Sequence, residues 1–264
     1  MKQEMTSIIK KDLQRIVSIK RMLIALLVVP LVLTVVIPSV FLLVQHWMPQ
    51  EQKEFQNMLE LLPTAELGST QQESLTGLLI NYILPLFFLI IPIMASTIMS
   101  ASSFVGEKEK QTLETLLYGP LSLTEIFQAK VAASFLLSMA VSFLSFFIML
   151  TVMEAEIYLT AGTFLLPGPQ WLVVMLLLSP SFSLIAITLI VRISAKAQSA
   201  EDAQQGAVFL LLPILLLIVS QFGGVLLINT WVLLGMGVVC GLAAMILLRQ
   251  AAGNFNYEML NTFF

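Results

Sequence analysis

The residues of this chain that could do chemistry are few and unevenly placed. Charge is densest between residues 106 and 130, GEKEKQTLETLLYGPLSLTEIFQAK, where Glu and Lys alternate before a Gly-Pro break. Just beyond it, Ser134, Ser138, Ser142 and Ser145 recur at intervals of four, four and three, which puts their hydroxyls on one helical face. A serine nucleophile needs a base within hydrogen-bond reach, and no ionisable side chain accompanies these four in their apolar stretch. Two roles remain for them: lining a polar substrate path, or letting helices approach and hydrogen-bond across their contact, which is the stronger reading. His46 and Cys240 are the single histidine and cysteine, and no H-E-x-x-H or Cys/His cluster occurs, which disfavours metal-dependent hydrolysis. No G-x-x-x-x-G-K-[ST] phosphate loop is present either. The chain is therefore expected to have no catalytic residue, cofactor or metal site of its own.

The elements that must position these residues are set by composition. Of 264 residues 58% are hydrophobic and 11% charged, against about 25% charged in an ordinary soluble domain. Six uncharged stretches are long enough for the roughly 20 residues that cross a bilayer core: 22–44, 78–105, 131–153, 171–191, 207–228 and 231–248. The short alternating segments of a barrel are missing. The expected fold is all-α, a single transmembrane domain over 1–264 with six transmembrane helices.

Orientation follows from charge. With the amino terminus inside, all thirteen Lys and Arg except Lys53 fall on the cytoplasmic side. Trp47, Trp171 and Trp231 then sit at outer span ends, where amphipathic rings favour the interface. Both termini are expected in the cytoplasm, in a multi-pass protein of the cell membrane. The first span is too long for a secretory signal and no cleavage site follows it, so it stays in the membrane.

Before that span, residues 1–21 carry Met5, Ile8, Ile9, Leu13, Ile16 and Val17 at helical spacing, with Lys10, Lys11 and Arg15 opposite. This is the pattern of a helix lying in the inner interface with its basic face toward anionic lipid headgroups, or of a cytosolic helix packed on a partner. Residues 45–77 form a long acidic outer loop. Prolines 30, 38, 85, 92, 180 and 213 lie inside spans and predict bends, and the 28 residues of the second span must tilt, kink or protrude.

The charged segment at 106–130 lies between the second and third spans, on the cytoplasmic side. Its first part favours helix, and Gly119-Pro120 ends it. Ser122 and Glu125 then form an S-x-x-E capping box that starts a second short helix. The expected result is a stiff elbow offering Leu123, Thr124, Ile126 and Phe127 to the cytosol or the interface. From these residues alone, an elbow that merely joins two spans is an equal reading.

The segment resembles the signature of type-2 ABC exporter permeases. The likeness rests on the start at Gly106 and Glu107 with Glu109, the core at Thr112, Leu113 and Glu114, the turn at Pro120 and Ser122, and the exit from Glu125 and Ile126 to Lys130. It extends to the amphipathic amino-terminal helix, the six spans and the outer loop. The stretch SAKAQSAEDAQQGAVFLLLP is similar to its counterpart in the sodium-efflux-type branch. The resemblance implies that Ser122, Leu123, Thr124, Glu125, Ile126 and Phe127 form a coupling helix seated on a separate ABC ATPase subunit, which would hold ATP and magnesium. It further implies a second permease chain, identical or related, and export of sodium or another small cation, or else of a lipid or hydrophobic peptide. No nucleic-acid partner is expected.

Two other classes compete. One is a membrane anchor or assembly factor whose elbow docks a cytosolic protein. The other is a stand-alone ion-coupled carrier, which commonly needs an ionisable residue inside a span, and none of the six contains one.

Overall fold

The computed structural model describes residues 6–7, 9–11, 14, 24, 26, 28, 30–47, 77, 79–109, 122–162, 164, 167–194, 197–222 and 230–262. Most of the outer loop and the first arm of the elbow, 110–121, lie outside the described residues. Among the described residues every regular element is helical. A π turn at Val32–Val36 leads into α1 (Ile37–Trp47), and another at Leu79–Ile83 leads into α2 (Leu84–Phe88). After a turn at Leu89 comes α3 (Ile90–Glu109), and then α4 (Leu123–Ala161). The short α5 (Gln170–Val173) passes through a π turn at Val174–Leu178 into α6 (Ser179–Ser194). Next, α7 (Ala200–Ala207) passes through a 3-10 turn into α8 (Leu211–Phe222), and α9 (Thr230–Thr262) closes the series.

Five of these runs are long and apolar enough to cross a membrane: Ile80–Glu107, Leu123–Leu159, Gln170–Ser194, Ala200–Gln221 and Thr230–Gly253. They correspond in order to the second through sixth expected spans. The expected first span is helical at every described position from 24 to 44. The chain is an all-α polytopic membrane protein.

The prolines explain the departures from regular helix. Each π turn ends two residues before a proline: Val36 before Pro38, Ile83 before Pro85 and Leu178 before Pro180. A proline ring collides with the carbonyl four residues back and offers no N–H, and a wider turn relieves the collision. Three of the six expected bends, at Pro38, Pro85 and Pro180, therefore take one recurrent form.

Helix α4 corrects the expected elbow. Among the described residues the second arm of the elbow is not a separate short helix: one uninterrupted helix of 39 residues runs from Leu123 to Ala161, about 58 Å at 1.5 Å per residue. Nothing in this stretch breaks it, since no proline occurs between Pro120 and Pro167. It ends at Gly162, whose φ of 70° and N–H to the Tyr158 carbonyl make a left-handed cap that glycine adopts without strain. Helix α7 likewise starts earlier than the fifth span read from hydropathy, and α9 continues well past residue 248.

The run Ile80–Glu107 and helix α6 form the buried centre, with α4 and α9 packed against them. The outer surfaces of α4, α8 and α9 are apolar, exposing Leu136, Phe147, Leu216, Val219, Val239 and Leu242, as suits helices whose backbone bonds are internal and whose flanks meet lipid. Tryptophan placement needs a correction. Trp231 is 77% exposed, but Trp171 is only 2% exposed and packs in the core, its ring centroid 5.4 Å from that of Phe88 and 5.1 Å from that of Phe146.

Candidate functional site

The start of α4 is built as its sequence dictates. Ser122 is in extended conformation, its hydroxyl accepts the Glu125 N–H at 3.3 Å, and the Glu125 carboxylate accepts the Ser122 N–H at 2.9 Å. The Ser122 hydroxyl in turn donates to the Glu125 carboxylate at 2.8 Å. These reciprocal bonds occupy donors that a helix amino terminus otherwise leaves open, so the first turn is stiff from its first residue.

Exposure at this turn differs from expectation. Ser122 and Thr124 are exposed, Leu123 and Glu125 are half-buried, and Gln128 is exposed. Ile126 and Phe127, expected at the surface, are 1% and 2% exposed. Phe127 packs in a cluster with Phe104 of α3, Ile187 and Val191 of α6 and Ala251 of α9, its ring centroid 6.1 Å from that of Phe104. A helix surrounded by three others offers one face outward, and at this turn that face carries Ser122, Thr124 and Gln128.

Eight residues past the Ser122 cap, Lys130 closes the segment on itself. Lys130, 1% exposed, directs its ammonium at the carboxylate of Glu107, 2% exposed, with Nζ 2.5 Å from Oε2. The same ammonium donates to the Ser103 carbonyl and lies 5.4 Å from the Phe104 ring centre. Two oxygens and an aromatic face thus meet its three N–H groups. The other Glu107 oxygen is 3.5 Å from Nζ of the exposed Lys11, which brings the amino-terminal helix to the same carboxylate. A buried pair adds little net stability when complete, but removing one partner strands a charge. Its effect here is geometric, because the end of α3 and the start of α4 cannot slide apart without separating buried opposite charges.

Of the other signature positions, Gly106 is buried in α3 and Glu109 is its last residue. Thr112, Leu113, Glu114 and Pro120 lie outside the described residues. At the described amino-terminal positions Ile9 is half-buried while Thr6, Ser7, Lys10, Lys11 and Gln14 are exposed.

The serine row of α4 faces inward. Ser134, Ser138 and Ser142 are fully buried and Ser145 nearly so. The Ser138 and Ser183 hydroxyls meet at 2.7 Å across the contact between α4 and α6, and Ser142 donates to the Ser138 carbonyl at 2.8 Å. Along α3, Ser96 and Ser100 donate to carbonyls four residues back. This seam of small hydroxyls lets α3, α4 and α6 pack closely. The Ser134 and Ser179 hydroxyls are buried without a hydrogen-bond partner among the described residues.

Sequence reading missed a second capping box. Ser199 and Asp202 exchange backbone bonds at 3.2 Å in each direction at the start of α7, whose Ala200 and Ala203 pack with Ala101 and Val105 of α3. The S-x-x-D spacing was visible, but Glu201 and Asp202 interrupt the apolar run from which the span was read.

The family model for the ABC-2 type transporter matches residues 3–219 of this sequence, and so covers most of the chain. The chain belongs to the ABC-2 type transporter family. No curated protein and no solved structure matches it. As a permease component of an ABC transporter it is a multi-pass membrane protein, of a family that normally works with ABC ATPase partners. The capped start of α4 and the Glu107–Lys130 clamp lie within the matched range, in the segment whose resemblance to such permeases was noted above.

Proposed function

We propose that this permease is the membrane subunit of an ATP-driven exporter of the cell membrane, with both termini and the 106–130 elbow in the cytoplasm. Two copies, or one copy and a related chain, would form the pathway, and separate ATPase subunits would bind ATP and magnesium. The exposed face of Ser122, Thr124 and Gln128, with the edge of Leu123 and Glu125, is the surface that receives the ATPase. Buried Ile126 and Phe127 hold that turn against the bundle instead of entering the partner's groove.

One observation carries this reading: the capped turn is continuous with the third span and is pinned to the end of the second by Lys130 and Glu107. A push on the cap is transmitted along rigid helix rather than absorbed in a loop, and the clamp makes the second span share the displacement. A simple connector between spans needs neither feature. For the cargo we propose sodium or another small cation, with a lipid or hydrophobic peptide as the alternative, a ranking that rests on the resemblance of residues 194–213 to the sodium-efflux-type branch.

The test is purification of the chain from native membranes in mild detergent, followed by reconstitution. Copurification of a subunit carrying a phosphate-binding loop, with ATP hydrolysis stimulated by one member of a panel of cations, lipids and peptides, supports the reading and names the cargo. Repeated isolation of the chain alone would instead favour an anchor or ion-coupled carrier.

A further inference from the structure

The clamp fixes one end of the second span to the third, and a different device joins the second span to the fourth at its other end. Pro85 would be the helical partner of the Asn81 carbonyl in α register and of the Ile80 carbonyl in π register, but it has no N–H to give. A donor arrives from the fourth span: the indole Nε1–H of Trp171 donates to the Ile80 carbonyl at 2.9 Å in a buried position. One residue along, the Asn81 Oδ1 accepts the Gly168 N–H at 2.6 Å. Both bonds land on the π turn Leu79–Ile83, and Trp171 stands three residues before the π turn Val174–Leu178.

Gly168 leaves room for this approach, and any side chain there would make the Gln170 or Asn81 amide shift. A Cβ there would lie 2.5 Å from Gln170 Oε1 and 2.8 Å from Asn81 Oδ1, closer than real Cβ atoms come. The Trp171 ring also sits between Phe88 and Phe146, so the same residue touches the third span.

We propose that residues 167–171, bonded to Ile80 and Asn81, form a latch that closes the pathway at the outer membrane face, and that the two adjoining π turns are the hinges on which it opens. The proposal rests on the reading of the chain as an ATP-driven permease with its elbow in the cytoplasm. Its logic is mechanical. Regular helix on the inner side of the second-span hinge moves as a unit with the clamp, and α6 packs along that helix, so bending concentrates where each helical ladder is already widened and interrupted by proline. The latch is held by two hydrogen bonds and an aromatic contact, and the clamp by a buried ion pair, so displacement at the inner end releases the outer end first.

The experiment places a single cysteine behind the latch, Leu84→Cys in a Cys240→Ser chain, within the complex purified with its ATPase. Leu84 is 5% exposed, and its labelling by a membrane-impermeant maleimide is expected to be slow at rest and at least ten-fold faster with ATP and magnesium. Trp171→Phe, which keeps an aromatic ring, though a smaller one, and removes the indole N–H, is expected to give the fast rate without nucleotide. Hydrogen exchange of residues 79–90 in the unsubstituted complex, with and without ATP, gives the same readout should the cysteine variant fail to fold. Unchanged labelling and exchange in a complex that hydrolyses ATP would overturn the latch, as would a Trp171→Phe rate equal to that of the parent. Absence of any ATPase activity would reject the permease reading instead, and the Trp171→Phe arm would still decide the latch.

Discussion

Lys130 and Glu107 are each worth more to the fold as a pair than as single residues. With both nearly fully buried, removing Glu107 leaves Lys130 charged in surroundings that cannot solvate it, a cost of about 3–5 kcal/mol, whereas Glu107 keeps Lys11 when Lys130 is removed. Glu107→Leu alone is expected to lower thermal stability in detergent by that order, and Glu107→Leu with Lys130→Met to recover most of the loss. A double variant as unstable as the sum of the singles would mean that the two side chains do not interact. Phe127 and Thr124 separate packing from docking in the same turn. Phe127→Ala opens the cluster with Phe104, Ile187 and Val191 and should cost about 3–5 kcal/mol of stability, with unaltered partner affinity in the folded fraction. Thr124→Trp should leave the stability within about 0.5 kcal/mol of the parent and weaken ATPase binding at least ten-fold in a titration of the purified subunits. The reverse outcome would put Phe127 back on the docking face.

At the scale of the element, the capping box and the π turns make different demands on the chain. Ser122→Ala removes one reciprocal bond and should cost about 1 kcal/mol, read as a roughly five-fold faster hydrogen exchange at residues 123–126. Pro180→Ala removes the ring that forces the widening at Val174–Leu178, and the amides of that stretch should become at least ten-fold better protected as the helix regularises. Unchanged protection would mean that packing rather than Pro180 sets the π turn. Both features show what the sequence made legible. The cap at Ser122 and Glu125 is decided within four residues, so it can be read locally. The clamp spans 23 residues in sequence and depends on how α3 and α4 pack, which no spacing rule reports. Phe127 looked like a docking residue because nothing local shows that α6 and α9 cover it, and Trp171 looked like an interfacial anchor for the same reason. Prolines 38, 85 and 180 announced bends but not their π form, since the widened turn depends on donors and packing brought by other helices.

For the whole molecule, two joints act on the second span from opposite ends: an ion-paired clamp where α3 meets α4, and a hydrogen-bonded contact where Trp171 and Gly168 meet the Leu79–Ile83 turn. Between them runs a close-packed seam of serines, stiff enough to carry a displacement from one to the other. Hydropathy made the second through sixth spans and their order legible, because the bilayer imposes length and composition on each one separately. The joints were not legible, because each is made by helices distant in sequence. The account depends most on the capped turn standing in the cytoplasm under an ATPase subunit. Thr124→Cys in a Cys240→Ser chain tests this with an impermeant maleimide on sealed vesicles of both orientations. The account predicts reaction only where the cytoplasmic face is outward, and protection there when the ATPase subunit is bound; reaction from the opposite face would contradict it.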